Sequence, residues 1–329
     1  MTMAPATDAS FHGVQRRLAA LLPAETWLTA RTTLELASLG AQDAPRLISA
    51  PTLEGTALLV HKIIRSGEHR FAAFLDGTQT SKVIAHVDGV PIVHGTVASV
   101  IRHRVDRRMR TWDVPIVRHG LFVPLKLLSD AWRSALESAD VRVIDTLDRR
   151  QVDSPHPFAL QDAAIHAVQD VREAAERELA ERWCDRADGE LFVDGAITGS
   201  ERVATSSCVV GVVKSHRTLY AEGDALRSVL RLERGTRTSV FRITSPKRTP
   251  VASWYLRLRN SDGRDPLWGL VRVEVAEPRG ASAKAIGARA DKVSSWVLAE
   301  ALPLAVPDAR WDKMAYGIRD CEEFLRAIQ

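Results

Sequence analysis

Asp76 and Asp194 each close a short apolar run and precede a glycine: Phe71-Ala72-Ala73-Phe74-Leu75-Asp76-Gly77 and Leu191-Phe192-Val193-Asp194-Gly195. Small polar residues follow both, Thr78-Gln79-Thr80-Ser81 in one case and Ala196-Ile197-Thr198-Gly199-Ser200 in the other. A short apolar run bounded by turn residues reads as a buried strand. A carboxylate at its end stands where an open α/β sheet meets solvent, which is where such sheets build their sites. Two such carboxylates, far apart in sequence, can converge on one metal ion. Metal-assisted phosphodiester hydrolysis needs three or four carboxylates around one or two divalent cations, which generate a nucleophilic hydroxide and neutralise the leaving oxygen. Mg²⁺ and Mn²⁺ are hard ions that accept Asp and Glu oxygens without His or Cys.

A third ligand is expected from the helical stretch before the second run, which carries Glu173, Glu176, Glu178 and Glu181. Glu176 is preferred, because Arg172 lies one turn away and can orient it. Lys214 ends the run Val209-Val210-Gly211-Val212-Val213 as Asp194 ends its own, and a lysine there can hold a phosphate as a point charge. Thr78, Thr80 and Ser81 can donate to a phosphate or cap a turn.

Asp-Gly is also a common turn signal. Asp88-Gly89, between Lys82-Val83-Ile84-Ala85-His86-Val87 and Val90-Pro91-Ile92-Val93-His94, reads as a hairpin. Asp188-Gly189 and Asp262-Gly263 lie in polar loops. No Gly-x-x-x-x-Gly-Lys-[Ser/Thr] loop or Gly-x-Ser-x-Gly elbow occurs, which argues against a P-loop NTPase and an α/β-hydrolase. The ten histidines show no metal-like spacing.

The elements that must position these residues alternate in type. Residues 10 to about 65 read as helical and irregular, with Val14, Leu18 and Leu21 on one helical face. Strands are expected over 71–76, 82–87 and 90–102. A further apolar run, Leu121 to Leu125, leads into a helix through Ala131, Leu136 and Ala139. A long helix over about 159–184 carries Ile165, Val168, Val171, Ala175 and Leu179 at three- and four-residue intervals. Strands follow at 191–194, 207–214, 238–243, 253–258 and 269–275. The last two alternate apolar and charged residues, as half-exposed strands do. Helices at about 284–302 and 319–328 close the chain. A three-stranded meander followed by a helix and another strand predicts an α/β fold: a ribonuclease H-like mixed sheet flanked by helices, with an N-terminal helical extension. Residues 1–65 form that extension and a candidate docking segment; residues 66–329 form the main domain.

The 329 residues are 45% apolar and 26% charged, enough for a sizeable core. Lys and Arg exceed Asp and Glu by 45 to 41, a mild positive balance that suits a polyanionic partner without requiring one. Basic clusters lie at Arg102-His103-Arg104-Val105-Asp106-Arg107-Arg108-Met109-Arg110 and at Lys247-Arg248, and solvated faces are expected for both. The three cysteines form no Cys-x-x-Cys, so neither a disulfide framework nor a zinc site is expected. No signal-peptide pattern and no membrane-length apolar stretch is seen, and a cytoplasmic location without membrane contact is expected.

Taken in order, Phe74-Leu75-Asp76-Gly77-Thr78, the glutamate-bearing helix, Leu191 to Ala196, Val210 to Lys214, Trp254 to Leu258 and Val271 to Val275 resemble the NurA family of prokaryotic nucleases over roughly residues 70–329. The resemblance implies a ribonuclease H-like fold and Mn²⁺- or Mg²⁺-dependent cleavage of DNA. It also implies a homodimer and a HerA-type hexameric ATPase as partner, in DNA end processing or anti-phage defence. On it, Asp76, Glu176 and Asp194 bind metal and Lys214 contacts phosphate. The family's C-terminal segment usually carries Tyr-Pro followed by an Ala-His pair, whereas this chain reads Tyr316-Gly317-Ile318-Arg319-Asp320-Cys321-Glu322. Asp320 or Glu322 must then replace that histidine, or the chain does without it. Two other readings share the fold: a catalytically weak nucleic-acid-binding or assembly subunit of an ATPase complex, and a ribonuclease.

Overall fold

In the computed structural model, residues 8–21, 44–64, 66–147, 156–246, 248–301 and 311–328 are described. The chain opens with α1 (Phe11–Leu21), β1 (Arg46–Leu47), β2 (Val60–Lys62), β3 (Phe71–Val87), β4 (Val90–Val105), β5 (Arg108–Thr111) and β6 (Ile116–Val123). It continues through α2 (Asp130–Ser138), β7 (Val143–Asp145), α3 (Pro157–Arg186), β8 (Glu190–Asp194), α4 (Glu201–Ala204), β9 (Val209–Val213), β10 (Thr218–Leu219) and α5 (Gly223–Leu230). It closes with β11 (Thr236–Thr238), β12 (Phe241–Ile243), β13 (Val251–Arg257), β14 (Leu270–Ala276), α6 (Ala283–Glu300) and α7 (Tyr316–Ile328).

Twelve strands make one mixed sheet, in the order β2-β11-β13-β14-β9-β8-β3-β4-β6-β7, with β12 on β13 and β5 on β4. At its centre β3, β4 and β6 form an antiparallel meander. β8 lies parallel to β3, and β9 parallel to β8. Side chains alternate across this sheet. Phe74, Phe192, Val212 and Val273 pack on one face against Trp296 of α6 and Ile318 and Leu325 of α7. Leu75, Leu191, Val193 and Tyr255 pack on the other, against Leu179 and Trp183 of α3 and Val229 of α5. Asp88 and Gly89 adopt φ of 49° and 82°, the left-handed pair that a two-residue hairpin turn requires.

Three sequence expectations change. β3 does not stop at Asp76 but continues to Val87, because β4 pairs Gly77, Thr78, Gln79 and Thr80 with Ser99, Ala98, Val97 and Thr96. The polar residues there lie within the strand, paired with β4 on one side. β13 and β14 are not half-exposed: every residue from Val251 to Arg257 and from Leu270 to Val275 is buried. Their charges find partners inside the protein, although Arg272 keeps Nε and Nη1 buried without a hydrogen bond among the described residues. The Arg257 guanidinium donates to the carbonyls of Leu230, Leu232, Pro266 and Trp268, and Arg272 pairs with Glu274 at 3.0 Å. Finally, residues 44–64 hold strands rather than a helix. β2 pairs with β11, and Glu54 makes a two-point contact with buried Arg237 at 2.6 and 3.0 Å. α1 is helical as expected and buries Val14 and Leu18, while Leu21 is exposed. Residues 22–43, the rest of the expected helical extension, and Lys247 and position 302 lie outside the described residues.

Candidate active site

Parallel pairing of β8 with β3 ends at Leu75 opposite Val193, so Asp76 and Asp194 follow side by side where that pairing runs out. Lys214 follows β9 by one residue. Phe74, Phe192 and Val212 belong to the core beneath α6 and α7, and each lies two positions before Asp76, Asp194 and Lys214. The period of two therefore sends all three polar side chains to that same side. α7 lies there too: the Cys321 thiol donates to the Phe74 carbonyl at 3.4 Å, and Gly317 sits against the Phe74 ring, where a Cβ would collide. Glu322 and Arg326, one turn apart on α7, join Asp76, Gly77, Thr78, Arg172, Asp194, Gly195 and Lys214 around an open cleft of about 420 Å³.

Glu176 arrives from the opposite face, on α3. A Cβ at position 77 would strike its carboxyl group. The glycine of the first Asp-Gly pair is thus needed not for a turn but for close approach of a helix carboxylate to the strand. Arg172 holds Glu176 through a short charge-assisted contact, and its Nε donates to Gln79 Oε1 at 3.0 Å. A second cavity of about 200 Å³ shares Arg172, Asp194 and Gly195 with the cleft and adds Glu176, Glu173, Arg177 and Arg248.

The three carboxylates feel one another. Burial pushes Asp76 well above the usual carboxylate range, and the negative charges of Asp194 and Glu176 push it further, against the pull of Lys214. Burial likewise raises Glu176 to about 7, opposed by Arg172 and reinforced by Glu173 and Asp194. Lys214 Nζ donates to Asp194 Oδ2 at 2.8 Å, and the Gly77 amide donates to Asp76 Oδ1 at 2.8 Å. Among the described residues no three Asp, Glu, His or Cys side chains form a ready-made metal shell. Instead, two of the carboxylates face cations, Asp194 with Lys214 and Glu176 with Arg172.

The remaining sequence candidates separate cleanly. Glu178 is held by Arg118 and Arg182, and Glu181 accepts from Ser200 Oγ; both belong to ties that fasten α3 rather than to the cleft. Glu173 accepts from Gln169 at 2.8 Å and reaches only the second cavity. Asp320 pairs with Arg102 at 2.5 Å, away from the cleft that Glu322 lines. Thr78 lines the cleft, whereas Ser81 is buried. The basic stretch at 102–110 is not only a solvated face, since Arg102 and Arg104 are bound to Asp320 and Glu300. Sequence reasoning missed Arg326, although its spacing from Glu322 places both on one helix face. No protein-family model matches the chain, and no curated protein matches it.

Proposed function

We propose that this protein is a metal-dependent DNA nuclease of NurA type with a ribonuclease H-like core. The observation that carries the reading is the convergence of three electrostatically coupled carboxylates: Asp76 and Asp194 line one cleft with Lys214, Arg172 and Arg326, and Glu176 lines the adjoining cavity that shares Asp194 and Arg172 with it. The strand order supports the fold: a β3-β4-β6 meander, then a crossing helix, then β8 parallel to β3. The donor chemistry fits Mn²⁺ or Mg²⁺. All three groups offer hard oxygen ligands, and the mutual repulsion that raises Asp76 is what a divalent cation relieves. Asp76, Asp194 and Glu176 would hold the metal, which supplies an activated water and charge neutralisation at phosphate.

The chain's own groups do the rest. Lys214 and Arg172, released from Asp194 and Glu176, are placed to bind the oxygens of a phosphodiester, and Arg326 approaches from α7. Glu322 stands where a fourth oxygen donor is available. The sequence resemblance adds a homodimer and a HerA-type ring ATPase as partner.

Labelled single- and double-stranded DNA and RNA, incubated with Mn²⁺, Mg²⁺ or EDTA, test the reading. DNA should be cut with metal and left intact with EDTA. Asp76→Asn or Asp194→Asn should cost about 10²-fold or more in rate, because metal charge stabilisation is worth several kcal/mol. The opposing pairs Lys214–Asp194 and Arg172–Glu176 favour a second reading, a binding subunit whose carboxylates are neutralised by the protein itself. Tight DNA binding without cleavage under any metal would decide for it.

A further inference from the structure

The three carboxylates stand where two hollows meet. The open cleft lies on the α7 side of the sheet and the cavity of about 200 Å³ on the α3 side, and Asp194, Gly195 and Arg172 line both. The cavity has an apolar floor of Leu75, Ala180, Val193 and Val203, all buried. Two exposed arginines also line it, Arg177 on α3 and Arg248 between β12 and β13. Their surroundings differ from those of the other cations of the site. Lys214 and Arg172 each meet a carboxylate, whereas Arg177 donates to the Gly199 carbonyl at 3.4 Å and Arg248 to Thr198 Oγ1 at 3.2 Å. The Thr249 amide donates to the Thr198 carbonyl at 3.4 Å, so both arginines lean on the one short loop that follows β8. Among the described residues neither has an acidic partner. Two cations held only by neutral groups at the rim of an apolar hollow suit an anion that carries an apolar body.

We propose a subsite that rests on the nuclease reading: the cavity takes the single nucleoside on one side of the scissile phosphodiester, its base on the apolar floor and its outer phosphate on Arg177 and Arg248. Open α/β sheets bind ligands outside the carboxyl ends of their strands, and the parallel pairing of β3 with β8 runs out at this place. With the phosphodiester beside Asp194, the nucleoside on one side of the bond enters the cavity. The rest of the strand stays in the open cleft with Lys214 and Arg326. The cavity has room for one base and not for a base pair, so the nucleotide it takes is unpaired. A guanidinium presents its donors in a planar fork that matches phosphate oxygens. To bind one, Arg177 and Arg248 give up a carbonyl and a hydroxyl, whereas Arg172 and Lys214 must give up carboxylates. The outer phosphate therefore costs the protein no ion pair.

The test uses the full chain and thymidine 3′,5′-bisphosphate, which carries a phosphate on each side of one nucleoside. It has no internucleotide bond to cut, so its binding is read apart from cleavage. Calorimetric titration with Mg²⁺ present should show the bisphosphate binding wild type, and thymidine binding far more weakly. Arg177→Ala with Arg248→Ala should weaken the bisphosphate about tenfold or more through lost charge-assisted contacts. The melting temperature should hold, because both side chains are exposed. In wild type the methyl resonances of Leu75, Val193 and Val203 should shift as the bisphosphate is added. No binding, equal binding by the double variant, or shifts confined to Val213 in the cleft would each overturn the subsite. Loss of the nuclease reading is a separate result: DNA left intact under every metal, whatever the bisphosphate does.

Discussion

At the scale of single residues, the site is governed by charge placed where water is scarce. Glu176 is raised from 4.5 to about 7 in the folded protein, chiefly by burial. Below pH 4.5 it is neutral in both states and costs nothing. As pH climbs, the unfolded chain releases the proton first, so folding loses stability until pH passes about 7. Full ionisation corresponds to about 3 kcal/mol. Gln reproduces the neutral acid. Urea unfolding of Glu176→Gln and wild type in EDTA should therefore coincide near pH 4, with the variant gaining on wild type through pH 7. A gap that does not change with pH would refute the assignment of buried repulsion to Glu176. His216 pulls the other way in wild type and variant alike. Burial lowers it from 6.5 to about 4, so its contribution is full above pH 6.5 and falls away as acid protonates the unfolded chain. The comparison between the two proteins cancels it.

At the scale of elements, the strand–helix approach at Gly77 is the most exposed feature of the site. Gly77→Ala puts a methyl group into the Glu176 carboxyl, with backbone of β4 hydrogen-bonded behind it. The carboxyl must move, at a cost of about 1–3 kcal/mol, and the third ligand moves with it. The variant should remain folded by circular dichroism yet lose most of its metal-dependent cleavage. Activity near wild type would show that Glu176 is not part of the machinery. This position also shows how much the sequence disclosed. The hairpin at Asp88-Gly89, the helix over residues 157–186 and the apolar runs into Asp76 and Asp194 were legible, because turn chemistry and short-range periodicity fix them. The role of Gly77 was not, since Asp-Gly signals a turn unless something outside the segment requires the missing Cβ. Nor was the burial of β13 and β14. Alternating charge reads as solvent exposure, and only the fold reveals that Arg257 finds carbonyls and that Glu274 accepts from the Ile197 amide. Residues 44–64 hold the short strands β1 and β2 for the same reason: β10 and β11 supply the pairing, and Arg237 supplies a partner for Glu54.

At the scale of the whole molecule, two predictions follow the proposed activity. A divalent cation that binds only the folded state adds stability by mass action, about 2.7 kcal/mol at a hundredfold excess over its dissociation constant. Saturating Mn²⁺ should then raise the melting temperature of wild type, and raise that of Asp76→Asn much less. Equal shifts would place the ion elsewhere. The second concerns assembly. A nuclease without an ATPase motif needs a motor to work processively along DNA, and the N-terminal segment is the expected docking region. Removing it whole would be a poor test, because Val14 and Leu18 are core residues and Glu54 partners buried Arg237. Its exposed apolar residues offer a better one. β2 ends the strand order of the sheet, and Val60 on it, Leu59 just before it and Ile64 just after it stand 50%, 59% and 90% exposed. An apolar edge strand is an invitation to pairing that proteins normally blunt with charge. Leu59→Asp with Ile64→Asp should leave the melting temperature nearly unchanged while abolishing co-purification with a co-encoded ring ATPase and the rise in cleavage that the ATPase produces. Retained co-purification would move the docking surface off this edge. A monomer by light scattering would separately remove the homodimer, without touching the chemistry assigned to the cleft.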